Sequence, residues 1–184
     1  MKHRLELFSD AVLAIIITIM ALDLHTPATG GWHAFVPILP SLGIYAIGFF
    51  ILGSGWLWHH QYFAHFETFN HKMVWSNFLF LFVASLLPLL IRNLADHPGD
   101  AADTVILILW VLSAAISLTL LRLTSYRDNK QRPEFREWYK NSNRRAFLFI
   151  YPSLLVQVGV ACVWPRIGLG LFVIYNLWVA ALGG

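Results

Sequence analysis

The chain has 184 residues, of which 58% are hydrophobic and only 12% charged, with a formal net charge of +3. Soluble domains carry charge on about a quarter of their residues, so this composition excludes an ordinary soluble globule. The small net charge gives no reason to expect a nucleic-acid partner. The charges are also clustered, with long uncharged stretches separated by one strongly basic loop.

In chain order, six apolar segments run over about 5–24, 35–58, 74–91, 104–121, 146–163 and 167–182. Each approaches the roughly 20 residues that cross a bilayer as a helix. They are apolar on all sides and longer than barrel strands, and only helices and closed barrels satisfy their backbone in lipid. The expected fold is an all-α integral membrane protein: one six-helix transmembrane domain over residues 1–184. Met1-Lys2-His3-Arg4 followed by apolar residues imitates a signal peptide. Glu6 and Asp10 interrupt that run, however, and no cleavage site stands out near Thr26–Gly30, so a retained first helix is expected. No regulatory domain is expected beyond the sixth helix.

With all six segments spanning and the N-terminus cytoplasmic, one side receives Lys2, Arg4, Lys72, Arg122, Arg127, Lys130, Arg132, Arg136, Lys140, Arg144 and Arg145. The other side receives Arg92 and Arg166, beside Asp96, Asp100 and Asp103. This positive-inside bias puts both termini in the cytoplasm of a multi-pass cell-membrane protein. The stretch from Thr124 to Arg145 reads as a solvated basic loop. Its alternative is an amphipathic surface helix anchored in lipid by Phe135, Trp138 and Tyr139. Pro88 and Pro152 are candidate helix breakers. Cys162 stands alone in an apolar run and reads as a small packing residue.

The first helix carries the strongest signal. Arg4, Phe8, Ser9 and Asp10 open it, and an acid within a membrane helix needs partners. Trp56, His59 and His60 end the second helix at the same depth, and Asn77 opens the third. A hydrogen-bonded knot linking Ser9 and Asp10 to these residues is expected. Further along, Ile15, Thr18, Ile19 and Leu22 share one helical face. By periodicity alone that face is a packing or lipid-facing stripe. His59, His60, His65 and His71 do not share a face, so no metal site is expected. No nucleophile–base pair or phosphate-binding glycine loop is present, so the chain is not expected to be an enzyme.

The pattern Arg4, Phe8, Ser9, Asp10 resembles the Arg-x-x-x-Phe-Ser-Asp signature of the transmembrane protein 175 family of potassium channels. The resemblance continues through Val12, Ala14, Ile15, Thr18, Leu22 and Asp23, then Tyr45, Phe49, Trp56, His59 and His60, then Asn77 and Pro88. It covers roughly the first half of the chain. It implies a potassium-permeable cation channel with no cofactor beyond the permeant ion. It also implies a homotetramer whose first helices line a central pore, with apolar rings from Ile15, Thr18 or Ile19, and Leu22 as the constriction. Arg4, Phe8, Ser9 and Asp10 would be scaffold, supported by Trp56, His59, His60 and Asn77. The expected partners are further copies of the chain and membrane lipids. The rival reading is a secondary transporter of a small ion or solute, against which no internal repeat is visible.

Overall fold

The computed structural model describes residues 2–24 and 36–182; the segment inspected for a cleavage site and the residue expected to open the second helix lie outside these. The described chain is helical: α1 (Lys2–Leu22), a 3-10 turn (Val36–Ile38), α2 (Leu39–His65), α3 (His71–Ser85), α4 (Leu87–Asp96), α5 (Ala101–Asn129), α6 (Pro133–Arg145), a π-helical turn (Ala146–Ile150), α7 (Tyr151–Val163) and α8 (Pro165–Leu182). Five runs are long and apolar enough to cross a membrane: Lys2–Leu22, Val36–His65, His71–Asp96, Ala101–Asn129 and Pro133–Val163. The shorter α8, 18 residues long, is a sixth apolar helix; at about 1.5 Å per residue it falls just short of the roughly 30 Å hydrocarbon core.

The turns between helices are built by specific caps. Asn70 caps α3 by accepting from the Met73 amide at 2.9 Å, and Asp100 caps α5 by accepting from the amides of Ala102 and Asp103. Asn129, at the end of α5, accepts from the amides of Glu67 and Thr68. Arg132 donates to the His65 carbonyl and pairs with Glu67. The α2–α3 and α5–α6 turns therefore sit side by side at one end of the bundle. At the other end Gly99 adopts φ +91°, a conformation suited to glycine, and the Arg166 side chain lies against it. The α4–α5 and α7–α8 turns thus meet at that end, as an up-and-down chain of spans requires.

The two prolines behave differently. Near Pro88 the third span breaks at Leu86 into α3 and α4. Proline has no N–H to give the Ala84 carbonyl one turn back; the Leu86 N–H closes the helix end on Val83 and Ala84, and the Val83 carbonyl also accepts from Trp110 Nε1 at 2.6 Å. Pro152 does not break its helix. The π turn before it passes the Tyr151 N–H to the Ala146 carbonyl, and the rod continues.

Three expectations are corrected. The segment from Thr124 to Arg145 is helical almost throughout, in the end of α5 and in α6. Its aromatic residues pack on protein: Phe135 is buried, Trp138 stacks on His65 at 4.5 Å, and Tyr139 lies on Tyr126. Arg122 is not a loop cation but is 1% exposed inside the bundle. Its guanidinium donates to the Tyr62 hydroxyl at 2.8 Å and to Thr119 Oγ1 at 3.2 Å. Cys162 is exposed and does not pack into the core.

Helix α5 is the centre of the bundle and packs on α3 and α7, while α1 packs on α2, α3 and α4 at one edge. Small residues permit the closest approaches. A Cβ at Gly48 would lie 2.7 Å from Ile91, and one at Gly168 would lie 2.7 Å from the Ala161 backbone.

Candidate pore helix and its polar clasp

Helix α1 has two faces. Leu5, Ser9, Leu13, Ile16 and Met20 are buried against the rest of the chain. On the opposite side Arg4, Phe8, Ala11, Ile15, Thr18 and Leu22 are all exposed, with Ile19 beside them. Ile15 is 57% exposed and Leu22 79%. Thr18 donates its hydroxyl to the Ile15 carbonyl at 2.8 Å, so its polar hydrogen is used within the helix. The intervals along the stripe alternate between four and three residues. Helix seams use such heptad-like spacing, and Leu7, Ala14 and Ala21 are exposed beside the stripe.

The buried face is fixed by a polar clasp among α1, α2 and α3. Ser9, His59 and Asn77 are each 0% exposed. Ser9 Oγ donates to the Leu5 carbonyl and accepts from Asn77 Nδ2 at 2.9 Å. The Asn77 carbonyl oxygen lies 2.7 Å from His59 Nε2. An amide oxygen only accepts, so Nε2 carries the proton. The His59 ring is held from both sides, tilted on Phe63 at 4.4 Å and stacked on Phe80 at 5.2 Å. Its Nδ1 has no hydrogen-bond partner among the described residues.

Asp10 belongs to a second, half-exposed cluster and not to this buried knot. It accepts from Trp56 Nε1 at 2.8 Å. Trp56 in turn stacks on His60 at 5.6 Å, and His60 Nδ1 faces the Glu6 carboxylate at 3.6 Å. The knot expected from sequence is therefore two clasps, one buried and one open. The sequence reading did not include Glu6 in it, although Glu6 lies one turn before Asp10. Arg4 is exposed and has no partner among the described residues. Phe8 makes an edge contact with Phe78. No group of acids, histidines or cysteines suited to a metal occurs among the described residues.

The buried Arg122 cluster was missed entirely. The sequence spaces Ser117, Leu121, Ser125 and Asn129 at intervals of four, and the structure buries all of them. That stripe marks an inward face which carries Arg122 with it.

Comparison with known proteins agrees with this geometry. Residues 4–88 match the sequence model of a family described as the endosomal/lysosomal potassium channel TMEM175. That region contains the α1 stripe and every residue of both clasps. A potassium channel from Chryseobacterium sp. (strain P1-3) is 28% identical over 96% of this chain and 91% of its own length. One from Streptomyces collinus is 35% identical over 51% of this chain and 48% of its own length. The fold matches the crystal structure of a lysosomal potassium-selective channel TMEM175 homolog from Chamaesiphon minutus, with a TM-score of 0.77, 21% identity and 97% of each chain covered. With several apolar helices long enough to span, this is a multi-pass membrane protein whose first half matches the sequence model of the TMEM175 family and whose fold is that of the matched channel structure.

Proposed function

We propose that this protein is a potassium-permeable channel, assembled as a homotetramer in the cell membrane with both termini in the cytoplasm, and that α1 of each copy lines the pore. The observation that carries this reading is the two-faced first helix. A polar clasp fixes its rotation on one side, and on the other an apolar stripe with heptad-like spacing stands exposed. Four such stripes around an axis form stacked rings of Ile15, Thr18 or Ile19, and Leu22. The names of the relatives and of the matched structure supply the ion.

Rings of isoleucine or leucine offer no oxygen to replace a hydration shell, so they select differently from a carbonyl filter. A narrow apolar ring penalises a fully hydrated ion, and potassium sheds water more readily than sodium. The same ring closes to ions when it dewets. On this account the clasp residues set the orientation of the rings without touching the ion.

The test is planar-bilayer recording of the purified protein with potassium on one side and sodium on the other. Unitary currents that reverse at a potential favouring potassium are expected. In a Cys162→Ser background, Ile15→Cys and Leu22→Cys should react with a water-soluble thiol reagent and block the current, while Leu13→Cys stays protected. Slow saturable flux without unitary events would replace the channel with a transporter. Protection of both 15 and 22 in a conducting channel would remove α1 from the pore.

A further inference from the structure

Helices α6 and α7 form one continuous rod from Pro133 to Val163, with the π turn between them. An ideal α-helix returns to the same face after about eighteen residues. Here the return takes nineteen. Phe135 and Leu154 are both 1% exposed, whereas Arg136 and Leu155 are both exposed. The extra residue in the π turn accounts for the shift. It lets Phe135 dock on α2 and α5 at one level, and Leu154 dock on the bundle deeper down.

The same shift makes the outer face of the rod continuous. Arg136, Lys140 and Arg144 recur at intervals of four and are exposed. They lead straight into Phe147, Leu148, Leu155 and Val156, all more than half exposed. None of the three cations makes an ion pair among the described residues. The acids at this end are mostly taken: Glu67 and Glu134 by Arg132, Glu6 by His60, and Asp128 by Asn70. Beside the stripe, only Glu137 stands free among the described residues, and Arg145 adds a further exposed cation.

We propose that this face seats an anionic phospholipid, with its phosphate held by Lys140 and Arg144, Arg136 adding charge, and an acyl chain lying along Leu148, Leu155 and Val156. A solvated basic face alone would not need to run unbroken into an apolar ridge. Positive-inside topology accounts for basic residues at this end, but not for three of them, free of ion pairs, set in line with one apolar ridge. The pairing of charge with adjoining apolar length matches one amphiphile, whose two ends are both recognised.

The test uses the full-length protein in mild detergent and native mass spectrometry, with phosphatidylglycerol and phosphatidylcholine supplied in equal amount. The wild type should retain phosphatidylglycerol in preference. Each surface cation contributes about fivefold to anionic-lipid binding, so Arg136→Gln/Lys140→Gln/Arg144→Gln should lower the preference at least about tenfold while the subunit count is unchanged. Leu148→Gln/Leu155→Gln should weaken retention of the lipid with the cations intact. Soluble glycerol phosphate should not compete, because it lacks the chain. An undiminished preference in the triple variant would overturn the proposal, as would full competition by glycerol phosphate. Disulfide linkage between copies carrying Leu148→Cys in a Cys162→Ser background would also overturn it, by giving the ridge to a second subunit. Bilayer currents do not enter this test, so its outcome is independent of the channel reading.

Discussion

At Asn77 a single amide serves two helices, giving its N–H to Ser9 on α1 and its carbonyl to His59 on α2. All three side chains are 0% exposed, so none can turn to solvent when the amide is lost. His59 already lacks a partner at Nδ1 among the described residues. Asn77→Ala therefore strands both ring nitrogens, and a buried group left without its partner costs about 1–3 kcal/mol. Ser9→Ala is expected to cost less, because it orphans one amide hydrogen and leaves His59 held. Both losses run through one shared contact, so the double variant should fall short of the sum of the singles. Thermal unfolding in detergent reads all three; strict additivity would show that Asn77 does not couple the helices.

Helix packing is tested most sharply by two glycines on α8 that lie two residues apart. A Cβ at Gly168 would sit 2.7 Å from the Cα of Ala161, whereas one at Gly170 would meet nothing within 4 Å. Alanine is the better helix former by about 1 kcal/mol. Gly170→Ala should therefore leave stability unchanged or raise it. Gly168→Ala must push α8 away from α7, and overpacking costs about 1–3 kcal/mol. Gly168→Ala should melt lower than the parent and Gly170→Ala no lower in the same assay, and equal effects would mean that the α7–α8 contact is looser than these distances require. This is also the scale at which sequence reading ran out. A row of apolar helices and the need of the polar residues in the first three for partners were legible, because hydropathy is local and polar side chains stand out in apolar runs; which of those residues pair was not. Nor was the fate of the basic stretch. Phe135, Trp138 and Tyr139 look identical whether they anchor in lipid or dock on protein, and the partners of Phe135 and Trp138 at Tyr62, His65 and Phe66 lie at the end of a helix some seventy residues earlier. Arg122 was misplaced for the same reason: its partner Tyr62 is distant in sequence.

For the whole molecule, the open question is what α1 meets with its outer face. The protomer covers one side of α1 with α2, α3 and α4 and leaves the Arg4–Leu22 stripe bare. Apolar exposure in lipid is inexpensive, so exposure alone does not demand a partner. Arg4, Phe8, Ala11, Ile15, Thr18 and Leu22 alternate four and three residues apart, a period at which a seam stays in register with neighbouring helices, but Leu7, Ala14 and Ala21 are exposed beside them, so the spacing permits a seam without requiring one. If α1 lines the pore as proposed, copies of it converge on one axis, with the clasp on each chain holding the stripe inward. In a Cys162→Ser background, mild oxidation of Leu22→Cys should yield disulfide-linked subunits in high proportion, and Leu13→Cys, on the buried face, should yield almost none. Native mass should give four copies for both. Equal cross-linking at the two positions, or a monomeric mass, would return the stripe to the lipid and take the pore from the first helix.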